Sequence, residues 1–291
     1  MIISTNNGGL SNRIKSLVSV LRYGEMVNSC CGVLWKKLND YSKNNHILNC
    51  EFKDIFDMNI IYNVTKNCEE YLYYDTLYNS HCLMVFDEDD IPINFNNFDS
   101  GCPVKFSIND KRKRNIDFMY ESIPINVINA YTPYFRKLKL TSSLDQKINE
   151  FALENFNENT TSVHIRSWNR NSEASRREHL FDIRKFEEEI ERRIYNFETE
   201  GIENYNFFLA TDSQDVREYF TNEYQYKDRI IVYLRNTSLD TSRDFTEGVQ
   251  EDAIELFLLG KNKNGFIGSH FSTFSEVGWW LADCPEDVVI L

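Results

Sequence analysis

The second half of the chain alternates short apolar runs with amphipathic stretches, and this constrains the fold more than any other feature. Residues 162–166, 205–210, 229–234 and 265–268 read as strands. Between and after them, helical spacing runs over residues 183–197, 213–221, 249–260 and 273–282. In the first of these helices Phe186, Ile190, Ile194 and Phe197 mark one face. Strands that alternate with helices in this way build a parallel, doubly wound sheet.

The stretch Ser162-Val-His-Ile-Arg-Ser-Trp-Asn-Arg170 fixes where a ligand would sit. Its apolar positions, Val163 and Ile165, stop at Arg166, and polar residues follow at once. In open α/β sheets ligands bind at the carboxyl ends of the strands, which puts His164 and Arg166 at a cleft edge. The same logic collects Thr211-Asp212-Ser213 and the run Ser269-His-Phe-Ser-Thr-Phe-Ser-Glu276. Thr273-x-x-Glu276 fits a capping box opening the last helix. Ser269, Ser272 and Ser275 add hydroxyls near a helix N-terminus, where free N–H groups and the dipole favour an anion. Arg166 offers a guanidinium to that anion, and together these groups describe a diphosphate clamp. Taken singly, they describe a well-capped helix beside a surface arginine.

The start of the chain reads as strand, loop and helix. Ile2-Ile3 leads into Asn6-Asn-Gly-Gly-Leu-Ser-Asn-Arg13, after which Ile14, Leu17, Val18 and Leu21 recur at helical spacing. Gly8 and Gly9 permit a tight turn, serving either a ligand approached by the backbone or the turn itself. Residues 31–35 read as a second strand, and 40–135 as irregular. Within that region Leu83-Met-Val-Phe-Asp-Glu-Asp-Asp90 has two readings. One is an Asp-x-Asp metal-diphosphate site at Asp87 and Asp89; the other, which we favour, is an acidic turn ahead of Pro92. A domain boundary is expected between 136 and 150, a polar segment after Pro133, dividing the chain into residues 1–140 and 141–291.

Composition narrows the partners. With 291 residues, 42% hydrophobic and 26% charged, the chain has the make-up of a soluble globular protein of one large or two ordinary domains. A net charge of -13 argues against nucleic acid or an anionic membrane surface. It leaves room for a small anion held by local arginines. No apolar run reaches the roughly 18 residues of a membrane span, and no leader precedes the first strand, so a cytoplasmic chain is expected. Seven cysteines without zinc spacing read as reduced thiols, and Asn63-Val-Thr and Asn159-Thr-Thr as formal glycosylation acceptors without consequence.

Four stretches carry a resemblance: Gly8-Gly-Leu-Ser-Asn-Arg13, His164-Ile-Arg166, Phe208-Leu-Ala-Thr-Asp-Ser213, and Glu255-Leu-Phe-Leu-Leu259 running on to Gly268-Ser-His-Phe-Ser-Thr-Phe-Ser275. In this order they resemble the GDP-fucose-dependent fucosyltransferases, particularly the α1,6-fucosyltransferase, NodZ-like group and the related protein O-fucosyltransferases. The resemblance implies an α/β, GT-B-type enzyme, with two Rossmann-like domains facing a central cleft. Residues 1–140 would form the acceptor side and 141–291 the nucleotide-sugar side. It implies inverting transfer of L-fucose from GDP-fucose to a hydroxyl of a glycan or related acceptor, with no metal and no cofactor. By matching position, Arg166 would neutralise the β-phosphate as GDP departs. Ser269, Ser272, Thr273 and Phe274 would line the phosphates, while Asp212, Glu255 or Asp252 would contact the donor. Gly9, Asn12 and Arg13 of the glycine loop would bind the donor, with Asn12 facing the sugar or acceptor across the cleft. His164 would sit beside the nucleotide or orient its neighbours. Glu173 falls near the family's carboxylate after His-x-Arg and would be the general base, with Arg170 close by. The loop Ser167-Trp-Asn-Arg-Asn lacks the family's usual second Arg and Asp. A metal-dependent transferase using residues 87–89, and a nucleotide- or glycan-binding protein without catalysis, are the rival readings.

Overall fold

The computed structural model describes residues 2–5, 8–26, 28, 30–35, 48–62, 72–75, 123, 125–167, 181–262, 264–270 and 272–291. Its regular second half is a five-stranded parallel sheet. The strands are β5 (Thr160–Ile165), β6 (Asn206–Thr211), β7 (Ile230–Ile231), β8 (Phe266–Gly268) and β9 (Val288–Ile290), and they lie in the order β7-β6-β5-β8-β9. The helices between them are α4 (Ile183–Thr199), α5 (Gln214–Glu218), α6 (Thr246–Leu259) and α7 (Thr273–Leu281).

The period-two alternation of strand side chains decides what covers each face. Val163, Ile165, Phe207, Leu209 and Ile267 point to one side, where Phe186, Ile190 and Ile194 of α4 cover them. Phe208, Ala210 and Phe266 join the other core, with α6 and Trp279 and Trp280 of α7. Covered on both faces, β5 is buried along its whole length despite its polar residues, so each of those needs a partner. Thr160 accepts from the Asn157 N–H at 2.8 Å, and Ser162 donates to the Leu259 carbonyl at 2.8 Å.

The first half supplies a second parallel sheet of β1 (Ile2–Thr5), β2 (Cys31–Leu34), β3 (Ile61–Tyr62) and β4 (Leu72–Asp75), in the order β3-β2-β1-β4. Helix α1 (Leu10–Met26) packs between this sheet and α7. It buries the expected Ile14, Leu17 and Val18, leaves Leu21 partly buried, and also buries Leu10, Ser11, Arg13, Lys15, Ser16 and Ser19.

Several sequence-based expectations change. The polar stretch after Pro133 is largely helix: α2 (Ile125–Arg136) contains Pro133, α3 is Ser142–Asn155, and 137–141 join them. The run 229–234 contributes two residues of ladder, and β3, β4 and β9 were not anticipated. Asp87, Asp89, Arg170, Glu173 and Asn63 lie outside the described residues.

Candidate functional site

Three strand ends and one helix start converge beyond the carboxyl edge of the five-stranded sheet. Arg166 and Ser167 follow β5, Asp212 follows β6, Ser269 follows β8, and Ser272 opens α7. Asp212 organises the first two. One of its oxygens accepts from Arg166 Nη1 at 2.7 Å, and the other from the Ser167 N–H and hydroxyl at 2.8 and 3.1 Å. Pairing adjacent strands β5 and β6 in register, with Ile165 opposite Thr211, brings this about.

Ser269 ties β5 to β8: it accepts from the Arg166 N–H at 2.7 Å and donates to the His164 carbonyl at 3.2 Å. Ser275 accepts from the Ser269 N–H at 2.9 Å and lies 2.5 Å from His164 Nδ1. The Ser275 hydroxyl can donate to Nδ1 or accept from it, so this contact suits a neutral ring in either tautomer. Burial agrees with this neutral form, for it pulls the His164 pKa down to about 3; Asp212 opposes the shift and Arg166 adds to it. The imidazole also stacks on Phe274, with ring centroids 4.8 Å apart. Through Ser275 and Phe274, His164 links β5 to the first turn of α7.

The helix start corrects one expectation. The cap is Ser272, whose hydroxyl accepts from the Ser275 N–H at 3.3 Å; Thr273 is already helical. Glu276 does not fold back to the cap. Its carboxylate is fully buried against Lys15 Nζ at 2.5 Å and the Trp280 indole N–H at 3.1 Å. Desolvation pushes the Glu276 pKa upward and Lys15 opposes it.

The glycine loop at the start of α1 is braced by Arg13. Its Nε donates to the Gly8 carbonyl at 2.9 Å, and its guanidinium carbon stands 5.5 Å from the Trp35 ring centroid. Arg13 is fully buried, which suits it to hold the loop's shape. Gly9 is approached by Arg243, whose Nη2 would lie 3.7 Å from a Cβ at that position. Among the described residues the buried Ser11 hydroxyl, Asn12 Oδ1 and Trp35 Nε1 have no hydrogen-bond partner.

Asp252 and Glu255 lie in a second network, centred on Arg235. The Arg235 side chain is 3% exposed and meets Glu255 at 2.7 Å and Asp252 at 2.8 Å. Glu251 accepts from the Asn236 and Thr237 N–H groups at 2.7 and 3.1 Å. Arg217 reaches Glu255 at 3.7 Å. Burial lifts Glu255 to about 7 despite the pull of both arginines. These carboxylates thus bind the chain after β7 to α6, while His164, Arg166, Asp212, Ser269, Ser272, Thr273 and Phe274 gather at the strand edge.

Lys15, Trp35, Arg235 and Arg243 escaped the sequence reading. Lys15 had a signal: it is the one charge in Ile14-Lys-Ser-Leu-Val-Ser-Val-Leu21, an otherwise uncharged helical stretch. Among the described residues there is no cluster of three or more His, Cys, Asp or Glu suited to a metal. No described helix is long and apolar enough to cross a membrane. A cavity of about 430 Å³ lies at the C-terminal end of α7 among Phe135, Phe257 and Trp280, away from the helix start.

No protein-family model and no curated protein sequence matches the chain. Solved structures do. A crystal structure of NodZ alpha-1,6-fucosyltransferase soaked with GDP-fucose aligns at TM-score 0.50 and 15% identity, over 96% of this chain and 91% of that one. POFUT1 in complex with GDP aligns at TM-score 0.53 and 13% identity, over 99% and 97% of the two chains. Its apo form aligns at 0.51 and 11%, over 100% and 97%. At these identities the likeness speaks for the fold, and the chain has the mixed α/β fold with parallel sheets seen in these fucosyltransferase structures.

Proposed function

We propose that the chain is a GT-B-type fucosyltransferase that moves L-fucose from GDP-fucose to a hydroxyl of a glycan or related acceptor, with inversion and without a metal. The supporting observation is that Arg166, oriented by Asp212, follows the strand that Ser269 ties to the hydroxyl-rich start of α7, on a chain with a fucosyltransferase fold. A guanidinium beside a helix N-terminus is a ready receptor for a diphosphate.

In this reading residues 141–291 hold the donor and residues 1–140 face the acceptor. Arg166 stabilises the charge that grows on the β-phosphate as the sugar leaves. Ser272, Thr273 and Phe274 line the phosphates through hydroxyl and backbone N–H groups, and His164 with Ser269 keeps that turn in place. Asn12 and Gly9 lie on the sugar and acceptor side. Arg13 and Asp212 support the two faces of the cleft, Asp252 and Glu255 the nucleotide side. Glu173 takes the acceptor proton.

A thermal-shift comparison of GDP, UDP and their sugars, followed by donor turnover in EDTA, tests the proposal. GDP is expected to give the larger shift, and GDP-fucose to be consumed in EDTA. A larger shift with a UDP sugar, or turnover that EDTA abolishes, would overturn it.

A further inference from the structure

The charge buried between α1 and α7 has no part in the chemistry just described. Lys15 and Glu276 are both fully buried, and their 2.5 Å contact joins the helix behind the glycine loop to the helix whose start carries Ser272. The Trp280 indole N–H takes the other carboxylate oxygen at 3.1 Å. Ser16, beside Lys15, bonds Ser4 of β1 at 2.8 Å, which fastens α1 to its own sheet. On the other side Ser275, beside Glu276, is bonded to Ser269 and His164. The link therefore runs from one sheet to the other through two adjacent polar positions on each helix.

Its placement along the helices is informative. At 1.5 Å per residue Lys15 stands about 7.5 Å from the start of α1, and Glu276 about 4.5 Å from the start of α7. The pair lies close behind both helix N-termini. A buried ion pair is weak evidence for stability, because desolving both charges offsets most of their attraction. What it does supply is a fixed contact between the two helices, since moving the partners apart leaves a buried charge uncompensated.

We infer that Lys15 and Glu276 are positioning residues that set the spacing between the glycine loop and the diphosphate-binding start of α7. This rests on the function proposed above. A second link between the halves runs elsewhere: Asn49 accepts from Thr246 at 3.0 Å and donates to the carbonyls of Arg243 and Asp244 at 3.0 and 2.8 Å. Loss of the ion pair would thus shift the helices without separating the halves.

The test uses the full chain with Glu276→Asp, which keeps both charges and shortens the link by one methylene, and Lys15→Met/Glu276→Gln, which removes them and leaves Trp280 an acceptor. GDP affinity is measured by calorimetry, kcat and KM with GDP-fucose, and amide exchange over Leu10–Ser16 and Thr273–Trp280. Both variants are expected to fold and to bind GDP within about threefold of wild type, because the clamp belongs to one half. Turnover should fall about tenfold to a hundredfold, the scale on which an ångström of misplacement is felt. Exchange should quicken in both helices together. Wild-type kcat in a folded variant overturns the inference, as does a GDP affinity that falls in step with kcat. If wild type itself consumes no GDP-fucose, the proposed function fails instead. Exchange then decides the pair's role, and unchanged protection in the double variant overturns it.

Discussion

Arg166 and Asp212 leave neighbouring strands at the same level and meet at 2.7 Å, and the remaining Asp212 oxygen is held by Ser167. Asp212 therefore fixes the direction of the guanidinium before any ligand arrives. Arg166→Ala is expected to weaken GDP binding by about 1.5–3 kcal/mol, the worth of a hydrogen bond to a charged group. That is roughly ten- to a hundredfold in Kd by calorimetry. Asp212→Asn should cost less, since the arginine stays but loses its orienting charge. Unchanged affinity in Arg166→Ala would remove the phosphate role.

Ser272 separates capping from ligand binding. Ser272→Ala should lower stability by about 1 kcal/mol. Ser272→Asp caps equally well but sets a negative charge where the diphosphate is proposed to lie. It should therefore retain the wild-type urea midpoint and lose GDP affinity at least about tenfold. An aspartate variant that binds GDP normally would place the anion elsewhere.

His164 gives a pH signature. Burial holds its pKa near 3 in the folded chain against 6.5 for the free side chain. Between these values the unfolded chain binds a proton that the folded chain does not, so stability rises with pH through this window and levels off above it. The slope is about 1.4 kcal/mol per pH unit. His164→Gln removes this contribution. Urea unfolding at several pH values should show the wild-type-minus-variant difference climbing up to about pH 6.5 and then flattening; parallel profiles would refute a buried neutral imidazole.

Gly248 pits helix propensity against packing. Alanine in a helix interior is favoured over glycine by about 1 kcal/mol. A Cβ here, however, would fall 2.6 Å from the Ser242 Cα, and backbone cannot step aside cheaply. Overpacking of this kind costs about 1–3 kcal/mol, so Gly248→Ala should be neutral to destabilising by up to about 2 kcal/mol. A clear gain in urea stability would show that α6 and the segment carrying Ser242 do not touch so closely.

Much of the strand-edge constellation could be read from the chain because local pattern dictated it. Ile165 ends a buried run and Arg166 has nowhere to go but the edge. The Thr273-x-x-Glu276 reading failed for a non-local reason: the spacing suits a capping box, but Lys15, far away in sequence, offers Glu276 a buried partner. Asp252 and Glu255 likewise look available on the sequence until Arg235 is seen to hold them. The run at 229–234 has strand composition throughout, yet β6 pairs with two of its residues, and pairing partners are invisible to local periodicity.

The bond between His164 and Ser275 joins residues 111 positions apart in the chain. Every member of the strand-edge cluster is supplied by β5 and β6 or by β8 and α7, so the site does not exist in any one segment. Contacts of such long range close their loops late, because the entropy of bringing distant parts together must be met first. During refolding, competence to bind an anion should therefore emerge with the final docking of β8 against β5, after the local helices have formed. A bound nucleotide would report completion of the sheet.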